Sequence, residues 1–272
     1  MENVVEENSY QNNQLSTYKG EKMIAIMSGK HNCGKTWLAI SLAQILSSFK
    51  QKVLLVDTSG GANNVKSQLG LSDQPDLDEV IYGEKSLNQL IIPYNKGRFD
   101  MILGNGNSAG LSTMSVGGLQ IFSDDLDIVA KNYDKAIIDI DSTYANAAEV
   151  LSGMAKSVII VSNVTISSLT DSYQLICDLK RRCPQTKIGV VINQANNHTE
   201  GLRAYDNLRA ATERFLEYTP ELLGIVREDT RVRDAIRNQS TIINRYPQSE
   251  AAIDTVAIAK RILQNDDIST NN

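Results

Sequence analysis

The chain has 272 residues, 42% hydrophobic and 22% charged, which is apolar enough to exclude disorder over most of its length. Lys and Arg number 27 against 32 Asp and Glu, and the net charge of −5 gives no overall basic field for nucleic acid or anionic lipid. Three cysteines (Cys33, Cys177, Cys183) and two histidines (His31, His198) show no C-x-x-C or H-x-x-x-H spacing, which argues against a disulfide framework and against a structural zinc or iron–sulfur site.

Residues 1–20 are polar and read as a mobile tail. They lack the basic start and apolar stretch of a secretory signal, and no apolar run approaches the ~18 residues of a membrane span. A cytoplasmic chain is expected. From Met23 onward, short Val- and Ile-rich runs alternate with helical patterns. The predicted strands are Met23–Met27, Val53–Val56, Met101–Leu103, Ala136–Ile140, Val158–Val161, Ile188–Ile192 and Leu222–Val226. Their apolar residues are consecutive, as in strands covered on both faces. The clearest helix is Thr36–Phe49, where Leu38, Leu42, Ile45, Leu46 and Phe49 line one face. A last helix is expected over Ala251–Leu263. Alternating strand and helix predicts one α/β domain over residues 21–264, a mostly parallel twisted sheet with helices on both faces. A polar tail, 265–272, follows.

The stretch Gly29-Lys30-His31-Asn32-Cys33-Gly34-Lys35-Thr36 fits G-x-x-x-x-G-K-[ST] between a predicted strand and a predicted helix, the setting a P-loop requires. Backbone N–H groups of such a loop, with those of the helix N-terminus, hold phosphate oxygens. Lys35 then reaches the β- and γ-phosphates and the Thr36 hydroxyl ligates Mg²⁺. The fold class is therefore a P-loop NTPase domain.

Lys30, just after Gly29, gives the loop a spacing that resembles the deviant K-G-G-x-G-K-[ST] loop of the MinD/ParA ATPases. The likeness extends along the chain. Val53–Asp57 with Ala62-Asn63-Asn64-Val65, and Leu77–Glu84, resemble the family's second strand and the helix that follows. Tyr133–Asp139 resembles its Walker B strand, Leu169–Tyr173 its "ITDAY" element, and Val191-Ile192-Asn193 the strand whose Asn reads adenine. Leu223–Val226 with Asp229, Val232, Ala235, Ile236 and Gln239, and Leu103–Gly110, resemble the FlhG (FleN) branch, which controls flagellar number and placement. The resemblance implies ATP and Mg²⁺ as cofactors, with Thr36, Asp57 and Asp139 on the metal. It implies an ATP-dependent homodimer in which Lys30 touches the partner's nucleotide. Lys30, Lys35 and Asp57 would serve the reaction; Gly29 to Trp37, Asn193 and Arg227 would bind the nucleotide.

Four positions depart from the family pattern. His31-Asn32 replaces paired glycines, although Asn and His are among the side chains best tolerated at positive φ. Trp37 stands where a second hydroxyl is usual, and is expected to pack under the loop. Ser59 replaces an acidic residue thought to orient the attacking water, and loss of a general base costs about 10² to 10⁴ in rate. Asp139-Ile140-Asp141-Ser142 replaces a small flexible "DTGAG" switch. All four surround the γ-phosphate, so weak hydrolysis is expected. In the late loop Arg227 takes the place of a proline near the adenine.

Tyr10–Leu15 faintly resembles the element by which FlhG relatives engage the GTPase FlhF, so an FlhF-like GTPase or another regulatory protein is a candidate partner. Membrane association is not expected, because the C-terminus after Ala251–Leu263 is acidic and polar. Nucleic acid is not expected either, since Glu228, Asp229 and Asp234 interleave with the group Arg227, Arg231, Arg233, Arg237 and Arg245. Two alternatives remain: a non-hydrolysing scaffold that no longer accepts ATP, and a ParA-type DNA-partition ATPase.

Overall fold

The computed structural model describes residues 20–105, 110–141 and 145–270, with side chains as far as Asn265. The Tyr10–Leu15 element and most of the N-terminal tail lie outside these residues, as do 106–109 and 142–144 of the two segments compared with the FlhG branch and the switch.

The strands are β1 (Met23–Met27), β2 (Val53–Asp57), β3 (Ile92–Tyr94), β4 (Phe99–Ile102), β5 (Lys135–Asp139), β6 (Ser157–Asn163), β7 (Lys187–Ala195) and β8 (Glu221–Arg227). They form one sheet in the order β3-β4-β2-β5-β1-β6-β7-β8. Every neighbouring pair is parallel except β3 with β4. All seven expected strands are present. The eighth, β3, was missed because Ile92-Pro93-Tyr94 is short and contains proline, which a sheet tolerates at an edge. It is an edge strand, antiparallel to β4.

Consecutive apolar residues mean that both faces of the sheet must be covered, and they are. On one face lie α4 (Val116–Ala130), α5 (Ala145–Met154), α6 (Ile166–Arg182) and α7 (His198–Leu216), packed through Phe122, Leu126, Leu151, Ile176, Leu179 and Leu208. On the other lie α1 (Lys35–Ser48), α8 (Thr230–Arg237), α9 (Ile242–Arg245) and α10 (Glu250–Thr270), joined through Leu38, Leu42, Leu46, Ile242, Ala252 and Ile258. Two short helices, α2 (Val65–Leu69) and α3 (Asp78–Ile81), follow β2.

One expectation is corrected here. The helix after the loop is not a one-faced amphipathic helix, since every residue from Thr36 to Leu46 is buried. It is enclosed between the sheet, α9 and α10, and a helix covered on all sides has no polar face to keep. The final helix also runs past its expected end at Leu263, its backbone continuing to Thr270.

Strand order fixes the site. β1 lies between β5 and β6; the chain crosses β5 to reach β2, then later turns the other way to β6 and β7. Ligands of open α/β sheets bind at such a reversal, beyond the carboxyl ends of the strands. The register sets Asp57 opposite Asp139 across β2 and β5, and Asn163 opposite Asn193 across β6 and β7.

Candidate functional site

The turn from β1 into α1 closes because two residues accept left-handed backbone. Asn32 has φ 62° and Gly34 has φ 83°. Asparagine thus does at one position what the missing glycine pair would do. Gly29 is needed for another reason: a Cβ there would come within 2.4 Å of the Asp171 carbonyl carbon on α6. Below the turn, the Cys33 side chain is buried with its Sγ 3.4 Å from Ser168 Oγ, and its carbonyl accepts a 2.8 Å hydrogen bond from Asn193 Nδ2. Gln194 Nε2 donates to the Asn32 carbonyl at 3.3 Å. The turn is therefore held by β7 from one side and by α6 from the other.

No side chain caps the N-terminus of α1. Its first amides and the partial positive end of the helix face the open end of the sheet, the arrangement that attracts a polyanion. The cleft there has a volume of about 1030 Å³. Its walls include every residue from His31 to Trp37, together with Ser59, Asn193 and Arg227. Gly29 and Lys30 do not line it. Asp57 and Asp139 lie beneath its floor, both fully buried.

The charges under the floor are arranged around one lysine. Lys35 Nζ donates to Asp139 Oδ1 at 2.7 Å. Burial disfavours the ammonium, but Asp139, Asp57 and Asp141 outweigh it and raise the Lys35 pKa, so the side chain stays charged. Asp57 Oδ1 accepts from the Ser59 N–H and Oδ2 from the Val65 N–H, at 2.9 and 2.8 Å. Burial, and then the charge of Asp139, still push its carboxyl up to about 6. Thr58, unmarked by the sequence reading, donates both its N–H and its hydroxyl to the Asp139 carbonyl, at 3.0 and 2.9 Å. The Asp141 N–H in turn meets Thr58 Oγ1 at 3.3 Å. The ends of β2 and β5 are thereby tied together beside the Lys35–Asp139 pair.

These residues fit a triphosphate with a hard divalent cation. The loop offers uncapped amides and a lysine, and Asp139 Oδ2 is buried without a partner. No group of three or more His, Cys, Asp or Glu placed to hold a metal ion exists among the described residues, so a cation here would need oxygens from its ligand besides Thr36, Asp57 and Asp139.

A model of the CobQ/CobB/MinD/ParA nucleotide binding domain matches residues 24–242. The chain belongs to this family. Among its relatives, the antiactivator FleN of Pseudomonas aeruginosa is 29% identical over 252 residues, 92% of this chain and 89% of that protein. The septum site-determining protein MinD of Bacillus subtilis is 29% identical over 246 residues, 88% of each. Of solved structures, MinD of Pyrococcus horikoshii complexed with Mg-ADP superimposes with a TM-score of 0.76 at 22% identity, over 91% of this chain and 98% of that one.

Within this MinD/ParA fold, three expected residues sit in unexpected company. Lys30 is exposed and its Nζ donates to Ser167 Oγ at 2.7 Å, on its own α6. Trp37 is 5% exposed, joins the core on the α1 side of the sheet and borders the cleft, and its indole Nε1 is buried with no acceptor. Arg227 lines the cleft with its guanidinium turned to α10, where it pairs with Asp254 and Glu250. The sequence reading passed over Gln194, Thr58 and Asp254. The first two adjoin marked residues, whereas Asp254 carried no local signal.

Proposed function

We propose that this chain is an ATP-gated dimeric switch of the MinD/FlhG kind that turns over slowly. One observation carries the reading. An uncapped helix start and two left-handed residues, Asn32 and Gly34, form an anion cradle above the Lys35–Asp139 pair.

In this reading Lys35 leaves Asp139 and takes up β- and γ-phosphate oxygens, while the loop amides hold the rest of the triphosphate. Thr36, Asp57 and Asp139 would hold Mg²⁺, which neutralises developing phosphate charge when bound. Asn193 and Arg227 flank the base. Lys30 releases Ser167 and reaches across to the nucleotide of a second copy. His31, Cys33 and Trp37 shape the loop, and Gly29 lets it lie against α6.

Ser59 occupies the cleft wall where a general base is wanted, and a hydroxyl does not accept a proton at neutral pH. A carboxylate is near in Asp141, but beside a γ-phosphate it repels what it would serve. Slow hydrolysis keeps the ATP-bound dimer long-lived, which suits a positional marker. Relatives described as an antiactivator, a septum site-determining protein and a flagellum site-determining protein support a role in placing or counting a cellular assembly. The partner on this reading is an FlhF-like GTPase or another regulatory protein met in the cytoplasm. No helix among the described residues is long and apolar enough to cross a membrane.

Light scattering with and without ATP·Mg²⁺, beside a phosphate-release assay, tests this. The expected result is a doubling of mass with ATP and turnover slower than about one per minute, low on the usual enzyme scale. Unchanged mass with no nucleotide affinity would leave a scaffold. Salt-sensitive, ATP-dependent binding of random duplex DNA would favour partition instead.

A further inference from the structure

Arg227 ends β8 on the wall of the cleft, and each of its guanidinium nitrogens is engaged. Nε donates to Asp254 Oδ2 at 2.9 Å, Nη2 to Asp254 Oδ1 at 3.0 Å, and Nη1 to Glu250 Oε1 at 2.6 Å. The Arg227 backbone N–H also donates to Asp254 Oδ2, at 3.0 Å. Asp254 itself is 5% exposed and lies 3.4 Å from His198 Nε2, so it joins the starts of α7 and α10 to the end of β8.

A two-pronged arginine–carboxylate pair is coplanar, with both donor nitrogens on one edge. That edge points at α10. Arg227 also lines the cleft with 22% of its side chain exposed, so a planar cation held in one orientation is available there. A delocalised cation presented face-on stacks on an aromatic ring, and a purine base is such a ring. The proline usual in the family would offer a flat face without charge; an unanchored arginine would offer a charge without a fixed plane.

We propose that Asp254 is a positioning residue that locks Arg227 as a cationic stacking plate for the base of the bound nucleotide. The inference rests on the nucleotide reading above and adds a base-contacting device that spans β8 and α10. Because the plate would touch the ring face, which adenine and guanine share, its own contribution is the same for both purines.

The test compares the full chain with Asp254→Asn and Arg227→Lys, titrated calorimetrically with ATP, GTP and inorganic tripolyphosphate in the presence of Mg²⁺. Arg227→Lys keeps the charge and an ion pair with α10, so folding does not hinge on it. Both variants are expected to bind ATP and GTP more weakly by a common factor of about fivefold, with tripolyphosphate affinity unchanged. Variants that hold ATP as tightly as the parent chain overturn the plate while leaving nucleotide binding intact. Equal losses for ATP and tripolyphosphate overturn it too, since the role is then bulk charge or scaffold. A parent chain that binds none of the three ligands overturns this inference together with the nucleotide reading.

Discussion

Lys35 Nζ lies 2.7 Å from Asp139 Oδ1, an ion pair that links the first residue of α1 to the last of β5. Asp139 is wholly buried and faces Asp57 across the two strands, so one ammonium, itself at the cleft wall, serves two buried carboxylates. Without nucleotide, the lysine that the P-loop motif assigns to phosphate is the cation that holds the floor of the cleft together.

Removing that cation carries a cost in stability separate from its cost in binding. Lys35→Ala leaves Asp139 buried without a partner, a change worth about 3 kcal/mol by analogy with other broken buried pairs. Urea unfolding measures it. The double variant Lys35→Ala/Asp139→Asn is expected to recover part of the loss while still failing to bind ATP. Equal stabilities for the single and double variants would show that the pair contributes little.

Asp57 gives a pH signature whose sign can be worked out. Its carboxyl is raised from the usual 3.8 to about 6, by burial first and by Asp139 second. Between those values the folded chain keeps a proton that the unfolded chain has lost. This contribution is therefore fully present below about pH 4 and is lost as pH rises through 6, by up to about 3 kcal/mol. Without nucleotide or divalent cation, the stability gap between the parent chain and Asp57→Ala should be wider at pH 4.5 than at pH 7. A gap independent of pH would mean that Asp57 titrates normally.

Ser59 tests the account of slow turnover. Its N–H already donates to Asp57 Oδ1 and its side chain is on the cleft wall, so the Ser59→Asp carboxylate would start from the right backbone position. Phosphate release is expected to rise at least tenfold, a part of the about 10² to 10⁴ that a fully positioned base contributes. Unfolding of the same variant should occur at lower urea, because a third carboxylate is added beside Asp57 and Asp139. Turnover unchanged in a variant that still binds ATP would place the defect elsewhere.

Loop geometry separates two glycines. Gly29→Ala pushes a methyl into the backbone of α6 at Asp171, whereas Gly61→Ala meets nothing within 4 Å. The first should destabilise by about 1 to 3 kcal/mol and weaken ATP, and the second should do neither. Asn32→Gly removes the strain at φ 62° and is expected to bind ATP at least as well, while Asn32→Val should lose the loop. Thermal melts with parallel ATP titrations decide between them.

The chemistry of the loop was legible because it is local. A strand, a Gly-flanked turn and a helix follow one another within Met23–Ser48, and each needs only its own neighbours in sequence to be recognised. The seven longer strands were equally plain, since unbroken Val and Ile runs mean burial on both faces wherever the strand lies in the sheet. β3 escaped because three residues and a proline leave no pattern.

Sequence alone determined the class of fold, the phosphate loop, and which residue types surround it, because those depend on contiguous patterns of polarity and turn-forming residues. Tertiary structure decided which groups meet. Strand register set Asp57 against Asp139, the start of α1 brought Lys35 to Asp139, and the docking of α10 brought Asp254 to Arg227. Each pairing joins residues tens of positions apart in the chain, where charge can be counted but distance cannot. Distance and burial, acting together, set the pKa of Asp57 and the direction in which Arg227 faces.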